Sequence, residues 1–257
     1  MKLFFGSLLI VAAGSVPVLA QKPDSSKSPE TKTVTASAVK LPSAKEVLDR
    51  HLTAIGGREA VTKHRSRYQA GTIELSPAGL KGTVELFSRS DNKSFTKVSL
   101  DGVGDILDAF DGTVAWTSNP VQGNRVKEGK ELQQSKRTST FAREANLESY
   151  YTSIKVRGVE KVGDRDTYVV VGSSDGLPDD VLYFDTETGL MLRSDSITLA
   201  PEGPQATSTF YEDYREVDGV KSAFKIRAKT PAFEILTVIT EVKFDVPIED
   251  SKFTRPK

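Results

Sequence analysis

A G-x-S-x-G fragment, Gly172-Ser173-Ser174-Asp175-Gly176, is the part of this sequence that best matches a catalytic motif. In hydrolases that use the motif, the serine follows a strand, precedes a helix and works with a histidine that comes later in the chain. Here strand-like residues flank the fragment on both sides, and the two histidines lie far upstream. We therefore predict a polar hairpin loop. A hydrolase that uses Ser174 or an unrecognised pair of carboxylates is the least favoured function.

The residues that could bind a metal also lack a recognisable spacing. Two groups of acids could suggest cation binding, but neither has the spacing of an EF-hand loop: residues 175–180 and the set Asp101, Asp105, Asp108 and Asp111. The two histidines, His51 and His64, match no helical metal motif, and we expect them to be packed or solvated. The chain has no cysteine, which excludes disulfides, thiolate nucleophiles and Cys-ligated metals. We predict no catalytic residue, metal or cofactor.

The charge balance argues against nucleic-acid binding. The 257 residues include 35 Lys and Arg and 35 Asp and Glu, so the formal net charge is zero. A chain without net charge or a basic stripe lacks the field that attracts a polyanion. The composition, 37% hydrophobic and 27% charged residues, is typical of a globular protein.

The N-terminus has the pattern of a secretory signal peptide at residues 1–20. Lys2 supplies a positive charge, Leu3–Val16 is nearly all apolar or small, and Val18-Leu19-Ala20 fits a cleavage site. Glycines and a proline interrupt a stretch that barely reaches the roughly 20 residues of a membrane anchor. We predict export, with cleavage after Ala20 and no lipid anchor, because no cysteine follows. Residues 21–41, rich in Ser, Thr, Lys and Pro, are predicted to form a flexible linker.

Residues 42–257 are predicted to form one domain that begins with two short helices. Ser43 can cap a helix whose apolar residues recur at three- and four-residue spacing, and Glu46 stands where the acid of a capping box would lie. Gly56-Gly57 should end this helix. A second helix should run from about Arg58 to Lys63.

The remainder alternates apolar and polar residues in short segments separated by turn residues, which predicts antiparallel strands. A polar, helix-compatible stretch at Glu131–Leu147 interrupts them. We predict a mainly β (α+β) fold, an antiparallel sheet or barrel of about eleven to twelve strands. The strands are expected at Tyr68–Leu75, Gly82–Ser88, Lys93–Leu100, Asp105–Phe110, Thr113–Ser118, Ser153–Val162, Asp166–Gly172, Asp180–Asp185, Leu190–Leu199, Gln205–Val217, Val220–Lys229 and Glu234–Val246.

Four segments of this domain carry a family resemblance. They are Asp105–Trp116, Leu182–Leu190, Asp213–Lys221 and Thr240–Ile248, with the sequences DILDAFDGTVAW, LYFDTETGL, DYREVDGVK and TEVKFDVPI. Together they resemble bacterial outer-membrane lipoprotein-sorting proteins, the LolA/LolB-like superfamily of periplasmic carriers. The resemblance covers residues 44 to 256, and its motifs specify strands and turns rather than a ligand.

The resemblance implies an unclosed antiparallel β-barrel of about eleven strands around an apolar cavity, with N-terminal helices and lid helices over it. It also implies a non-enzymatic periplasmic protein that carries a lipid or an acylated lipoprotein. We expect a monomer that delivers its ligand to a membrane-bound partner. Strand parity predicts the cavity lining: Val84, Leu86, Val98, Leu100, Trp116, Phe184, Phe210, Phe224, Ile226, Val238, Val242 and Phe244.

Alternatives to the carrier remain open at this point. Any one of the lining residues could simply belong to the core. The same fold could also serve as a periplasmic sensory or protein-binding module whose interior is filled. The carrier predicts an open apolar cavity of several hundred Å³ under the N-terminal helices.

Overall fold

The computed structural model describes residues 40–120 and 123–256, which build one antiparallel sheet of thirteen strands. The predicted signal peptide, 1–20, lies outside the described residues, and so does nearly all of the predicted linker, 21–41. The strands are β1 (Ser66–Ser76), β2 (Leu80–Arg89), β3 (Lys93–Leu100), β4 (Gly104–Phe110), β5 (Ala115–Asn119), β6 (Gly123–Lys127), β7 (Ser153–Val162), β8 (Arg165–Ser174), β9 (Leu177–Asp185), β10 (Met191–Thr198), β11 (Gln205–Val217), β12 (Val220–Lys229) and β13 (Glu234–Phe244).

The chain builds the sheet in two halves that meet in the middle. Strands β1 to β6 lie side by side in chain order and end at one edge. Helix α3 (Gly129–Thr138) and a 3₁₀ segment, Arg143–Tyr150, then lead to the other edge, where β7 begins. Strands β7 to β13 return in order, and β13 pairs with β1. The edge strands β6 and β7 do not pair with each other, which confirms the predicted unclosed antiparallel fold.

The strand that the sequence analysis missed is β6. All twelve predicted strands are present, and β6 raises the count to thirteen. Its sequence, Gly-Asn-Arg-Val-Lys, has one apolar residue and no alternation, because an edge strand paired on one side needs little burial. The predicted helical stretch at Glu131–Leu147 forms α3 and part of the 3₁₀ segment.

Two N-terminal helices, α1 (Ala44–Ala54) and α2 (Gly57–Lys63), pack against the sheet. The predicted capping box is confirmed: the Glu46 N–H donates to Ser43 Oγ at 3.2 Å, and the Ser43 N–H donates to the Glu46 carboxylate at 2.7 Å. Apolar residues of α1 contact β8 and β9 in a cluster that includes Val47, Val170 and Phe184. No helix within the described part of the chain is both long enough and apolar enough to cross a bilayer.

The C-terminal segment, residues 245–256, packs on the outer face of the sheet over β3, β4 and β5, opposite the helices. Phe253 is fully buried there in a cluster with Phe95, Ala109 and Trp116. The Trp116 indole N–H donates to the Phe253 carbonyl oxygen at 2.8 Å. Both faces of the sheet are therefore used for packing, and the inner face carries two cavities beneath helices.

Candidate ligand-binding site

A cavity of about 520 Å³, called here the central chamber, lies between the inner face of the sheet and α3. Its walls come from both halves of the sheet, with Gln69 and Thr96 on one side and Ser194 and Thr209 on the other. The wall is mainly polar, whereas the resemblance implied an apolar cavity. The reason is that the inward positions in the middle of several strands are occupied by serine and threonine.

Helix α3 closes the chamber and is held by polar contacts rather than by an apolar stripe. The Gln134 side chain donates to the Ile197 carbonyl oxygen at 2.8 Å and accepts from the Leu199 N–H at 3.0 Å. Arg137, the buried residue of the helix, lies 3.1 Å from the Asp180 carboxylate on β9. The helix is thus tied across the chamber to β9 and to the end of β10.

The Asp180 carboxylate has a second buried partner. Tyr151 donates its hydroxyl to Asp180 at 2.8 Å. Burial, and then the nearby carboxylate, raises the pKa of Tyr151 above its ordinary value, so the phenol stays a neutral donor. Arg137, Asp180 and Tyr151 therefore form a connected polar cluster beneath α3.

A second ion pair stands in the opposite wall of the chamber, where Lys127 contacts Asp108. The Asp108 side chain is 47% exposed where it borders the cavity, and the protein on its other sides partly buries the carboxylate. This burial raises the pKa of Asp108, although Lys127 acts in the other direction. The pair gives the chamber wall a carboxylate that is already matched by a cation.

A smaller cavity of about 230 Å³, called here the helix pocket, lies under α1 and α2 and is lined largely by apolar groups. Ile55 and Val61 cover it from above, and Tyr214, Ile226 and Phe244 line it from the sheet. Four residues line both cavities: Arg67, Gln69, Phe141 and Tyr211. The two cavities therefore adjoin, and together they make a space that is polar at one end and apolar at the other.

Two tyrosines on β11 belong to this space. The Tyr211 hydroxyl lies 3.0 Å from Ser194 Oγ, and Tyr214 donates its hydroxyl to the Met191 carbonyl oxygen at 2.7 Å. Burial raises the pKa of both phenols. Both side chains thus present their rings to the helix pocket, while their hydroxyls stay neutral and hydrogen-bonded.

Three of the residues predicted from strand parity line the two cavities, namely Leu86 in the central chamber and Ile226 and Phe244 in the helix pocket. Val242 lies opposite Gln69 in the β1–β13 register and so shares its face. Other predicted residues belong to closed clusters. Val84, Val98 and Leu100 pack among themselves and with Ile73, Leu75 and Ile106, and Phe184 packs against α1.

The remaining predicted residues lie away from these cavities. Trp116 is on the outer face, under the C-terminal segment. Val238 lies opposite Thr72, beyond a register shift at Ala70/Gly71 that turns Ile239, rather than Val238, to the inner face.

Two further phenylalanines from the predicted lining are covered by arginines. Phe210 has the guanidinium groups of Arg193 and Arg227 each 5.4 Å from its ring centroid. Phe224 is buried, with the Arg215 guanidinium 4.8 Å from its centroid. Neither residue lines the chamber or the helix pocket as described.

The sequence analysis missed the polar residues of the site. Arg67, Gln69 and Tyr211 lie on strands, where a polar residue is normally expected to face solvent, and Arg137 lies on a polar helix with no apolar stripe to indicate its buried side. One signal is present in the sequence of Arg193–Thr198, whose only apolar residue is Ile197. Such a segment does not fit a strand that packs on an apolar core.

The residues considered for catalysis have structural roles. Asp175 and Gly176 form the turn between β8 and β9, which confirms the predicted hairpin, and Ser174 donates its hydroxyl to the Tyr150 carbonyl oxygen at 2.7 Å. His51 and His64 are both buried, as packed histidines should be. His51 donates to the Gly189 carbonyl oxygen at 3.0 Å, and His64 stacks on Phe244 at 4.0 Å. Within residues 40–120 and 123–256, no group of three or more acids and histidines is arranged to hold a metal ion.

Comparison with known proteins identifies the fold. A solved structure of a LolA superfamily protein from Nitrosomonas europaea matches with a TM-score of 0.55 and 13% identity, over 84% of this chain and 99% of that one. A DUF1329 family protein from Desulfovibrio piger matches with a TM-score of 0.55 and 16% identity, over 82% of this chain and 96% of that one. No protein-family model and no curated protein matches the chain. The chain has a LolA-like fold, as its resemblance predicted.

Proposed function

We propose that this protein is an exported, non-enzymatic carrier whose ligand is an amphiphile, such as a lipid or the acyl chain of a lipoprotein. The observation that carries the proposal is the helix pocket, a cavity under the N-terminal helices that is more apolar than polar and lies beside a mainly polar chamber. The LolA-like fold supports the proposal, because the superfamily that the sequence resembles consists of periplasmic carriers. The apolar part of the ligand would occupy the helix pocket.

The volume of the helix pocket limits how much of an acyl chain it can hold. A cavity of about 230 Å³ has room for roughly eight groups of the size of a water molecule, which is close to the size of a methylene. At about 0.8 kcal/mol for each buried methylene, this corresponds to about 6 kcal/mol before the costs of binding. The pocket therefore suits a chain of medium length or one end of a longer chain.

The residues proposed to contact the ligand follow from this placement. Phe244 and Ile226 would contact the apolar part, and Leu86 would contact the portion in the central chamber. The other predicted lining residues would support the sheet rather than touch the ligand. We further propose that the protein works in the periplasm as a monomer and delivers its ligand to a membrane-bound partner. The signal-peptide pattern at 1–20 supports the export that this requires.

A fluorescent fatty acid, cis-parinaric acid, provides the test. The delipidated protein should bind it saturably, and Phe244→Asp should abolish binding by placing a charge in the helix pocket. Phe210→Asp is the matched control, because the same substitution on the outer face lies beside Arg193 and Arg227. Absence of saturable binding by the unaltered protein, or an equal loss in both variants, would overturn the proposal.

A second candidate is a protein-binding module, and one observation favours it. The larger of the two cavities is lined mainly by hydroxyl, amide and charged groups, which suit a peptide segment better than an acyl chain. This function predicts a specific partner protein in a pull-down and no lipid after native isolation. Mass spectrometry of organic extracts from the native protein separates the two candidates, since only the carrier should release a lipid.

A further inference from the structure

Cations and carboxylates line the central chamber in equal number, yet two of its arginines have no carboxylate partner among the described residues. Four carboxylates line it, and each already has a cation partner: Asp108 with Lys127, Glu131 with Arg125, Asp180 with Arg137, and Asp195 with Arg193. Two further arginines, Arg67 and Arg143, also line the chamber. In the part of the chain that the structure describes, neither makes an ion pair or a side-chain hydrogen bond.

Arg67 occupies the junction between the two cavities. It lies on β1 at the centre of the sheet, opposite Phe244 on one side and Ser88 on the other. It lines both the central chamber and the helix pocket. Its Nε atom is buried and has no hydrogen-bond partner among the described residues. A buried guanidinium N–H without an acceptor is costly. The Nε atoms of Arg125, Arg137 and Arg227 are also unsatisfied, but each of those arginines makes an ion pair. Arg67 makes none with the described residues and lines both cavities, which points to a ligand that supplies the acceptor.

Arg143 brings a second positive charge to the same space from the opposite side. It stands at the start of the 3₁₀ segment that follows α3. Its charge acts on the hydroxyls of both Tyr151 and Tyr211 and lowers the pKa of each against the stronger effect of burial. Arg143 lines the chamber together with Ser194 and Tyr211, which add hydroxyl groups.

We infer that the junction of the two cavities is an anion site, where Arg67 and then Arg143 bind the carboxylate or phosphate headgroup of the amphiphile. This inference rests on the proposed function and names the class of its ligand. A planar guanidinium suits both anions, because it can donate two parallel hydrogen bonds to paired oxygens. With the headgroup at Arg67, the chain would extend past Phe244 into the helix pocket, and the nearby hydroxyls would complete the headgroup's hydrogen bonds.

The Glu144 carboxylate would repel such a ligand, so removing its charge tests whether the bound headgroup is negative. Glu144 lines the helix pocket, is exposed and contributes a negative charge that acts on Tyr211. An anionic headgroup near Tyr211 would be repelled by it. Glu144→Gln should therefore tighten the binding of an anion and leave the binding of an uncharged ligand unchanged.

The experiment compares ligands that share one alkyl chain and differ in the headgroup. Decanoate, decyl phosphate and 1-decanol are used to displace cis-parinaric acid from the delipidated protein, and inorganic phosphate is titrated alone by calorimetry. We expect decanoate and decyl phosphate to bind about ten- to a hundredfold more tightly than 1-decanol, since a hydrogen bond to a charged group is worth that ratio. Weak saturable binding of inorganic phosphate would also support the site and would show that a free anion can occupy it.

Two variants locate the effect. Arg67→Met should remove most of the preference for the anionic ligands while 1-decanol binding stays unchanged, and Arg67→Lys should restore part of it. Arg227→Met is the matched control, because Arg227 lies on the outer face beside Phe210 and should not alter the preference. Thermal denaturation of each variant establishes that it is folded.

The possible failures are distinguishable. If the three decyl ligands bind equally well, and Arg67→Met changes none of them, the anion site is wrong while the carrier function stands. If no decyl ligand binds and cis-parinaric acid does not bind either, the carrier function itself fails. Loss of preference in Arg227→Met to the same extent as in Arg67→Met would also overturn the assignment to Arg67.

Discussion

The ion pair between Arg137 and Asp180 offers the most direct test of how α3 is held over the chamber. The two side chains are 8% and 9% exposed, and their charged atoms lie 3.1 Å apart. Arg137→Met removes the cation and leaves the Asp180 carboxylate buried with Tyr151 as its remaining donor. Breaking a buried pair in this way costs about 3–5 kcal/mol, because the desolvated charge loses its compensation.

Opening α3 would reduce this cost, since it would let water reach Asp180. We therefore expect Arg137→Met to lower the urea midpoint and to speed hydrogen exchange in α3, with the amides of β8 and β9 affected least. The double variant Arg137→Met/Asp180→Leu removes both charges and should be more stable than Arg137→Met alone. Loss of less than about 1 kcal/mol in the single variant, with unchanged exchange in α3, would refute this reasoning.

Three further predictions concern packing, backbone strain and pH. Phe253→Ala should cost about 3–5 kcal/mol in urea unfolding because the ring is fully buried, whereas Val159→Ala at an exposed position should change stability by less than about 0.5 kcal/mol; equal effects would contradict the role given to the C-terminal segment. Gly56→Ala should be more destabilising in the same assay than Gly79→Ala. Both glycines have positive φ, but of the two only Gly56 would place a Cβ 2.0 Å from a backbone oxygen. Similar costs would show that the contact between position 56 and that oxygen is unimportant. Burial lowers the pKa of His51 from its ordinary 6.5, so the free energy of unfolding should be constant above that pH and fall by up to about 1.4 kcal/mol per pH unit below it. His51→Gln should flatten this slope, and an unchanged slope would exclude His51 as its source.

The elements of the fold were predictable because their signals are local. A capping box, a pair of glycines and alternation within a strand depend on residues that are neighbours in sequence, and they located α1, α2 and twelve strands. Prediction from the sequence fails where the signal is not local. Residues Asn124–Lys127 form a strand only because β5 lies beside them.

The candidate site was harder to predict, because alternation gives the relative orientation of residues but not which face is inside. Trp116 alternates with Ala115 and Thr117, and the apolar cover that draws it to the outer face comes from Phe253, far along the chain. In β13, the register shift beside Gly71 reverses parity midway, so Val238 and Phe244 face opposite sides. The arginines of the chamber were overlooked because their inward placement depends on α3 lying over the sheet.

The meeting of β1 and β13 at the centre of the sheet determines when this protein can become functional during its synthesis. All other strand pairs join consecutive segments, but Arg67 and Phe244 come together only after nearly the entire chain is available. Closing such a long loop is the slow part of folding a sheet of this kind. A chain that emerges N-terminus first from a ribosome or an export channel thus cannot assemble the junction of the two cavities until its last strand has emerged. Under the proposed function, a half-emerged chain could not bind the ligand, and loading would be restricted to the finished molecule.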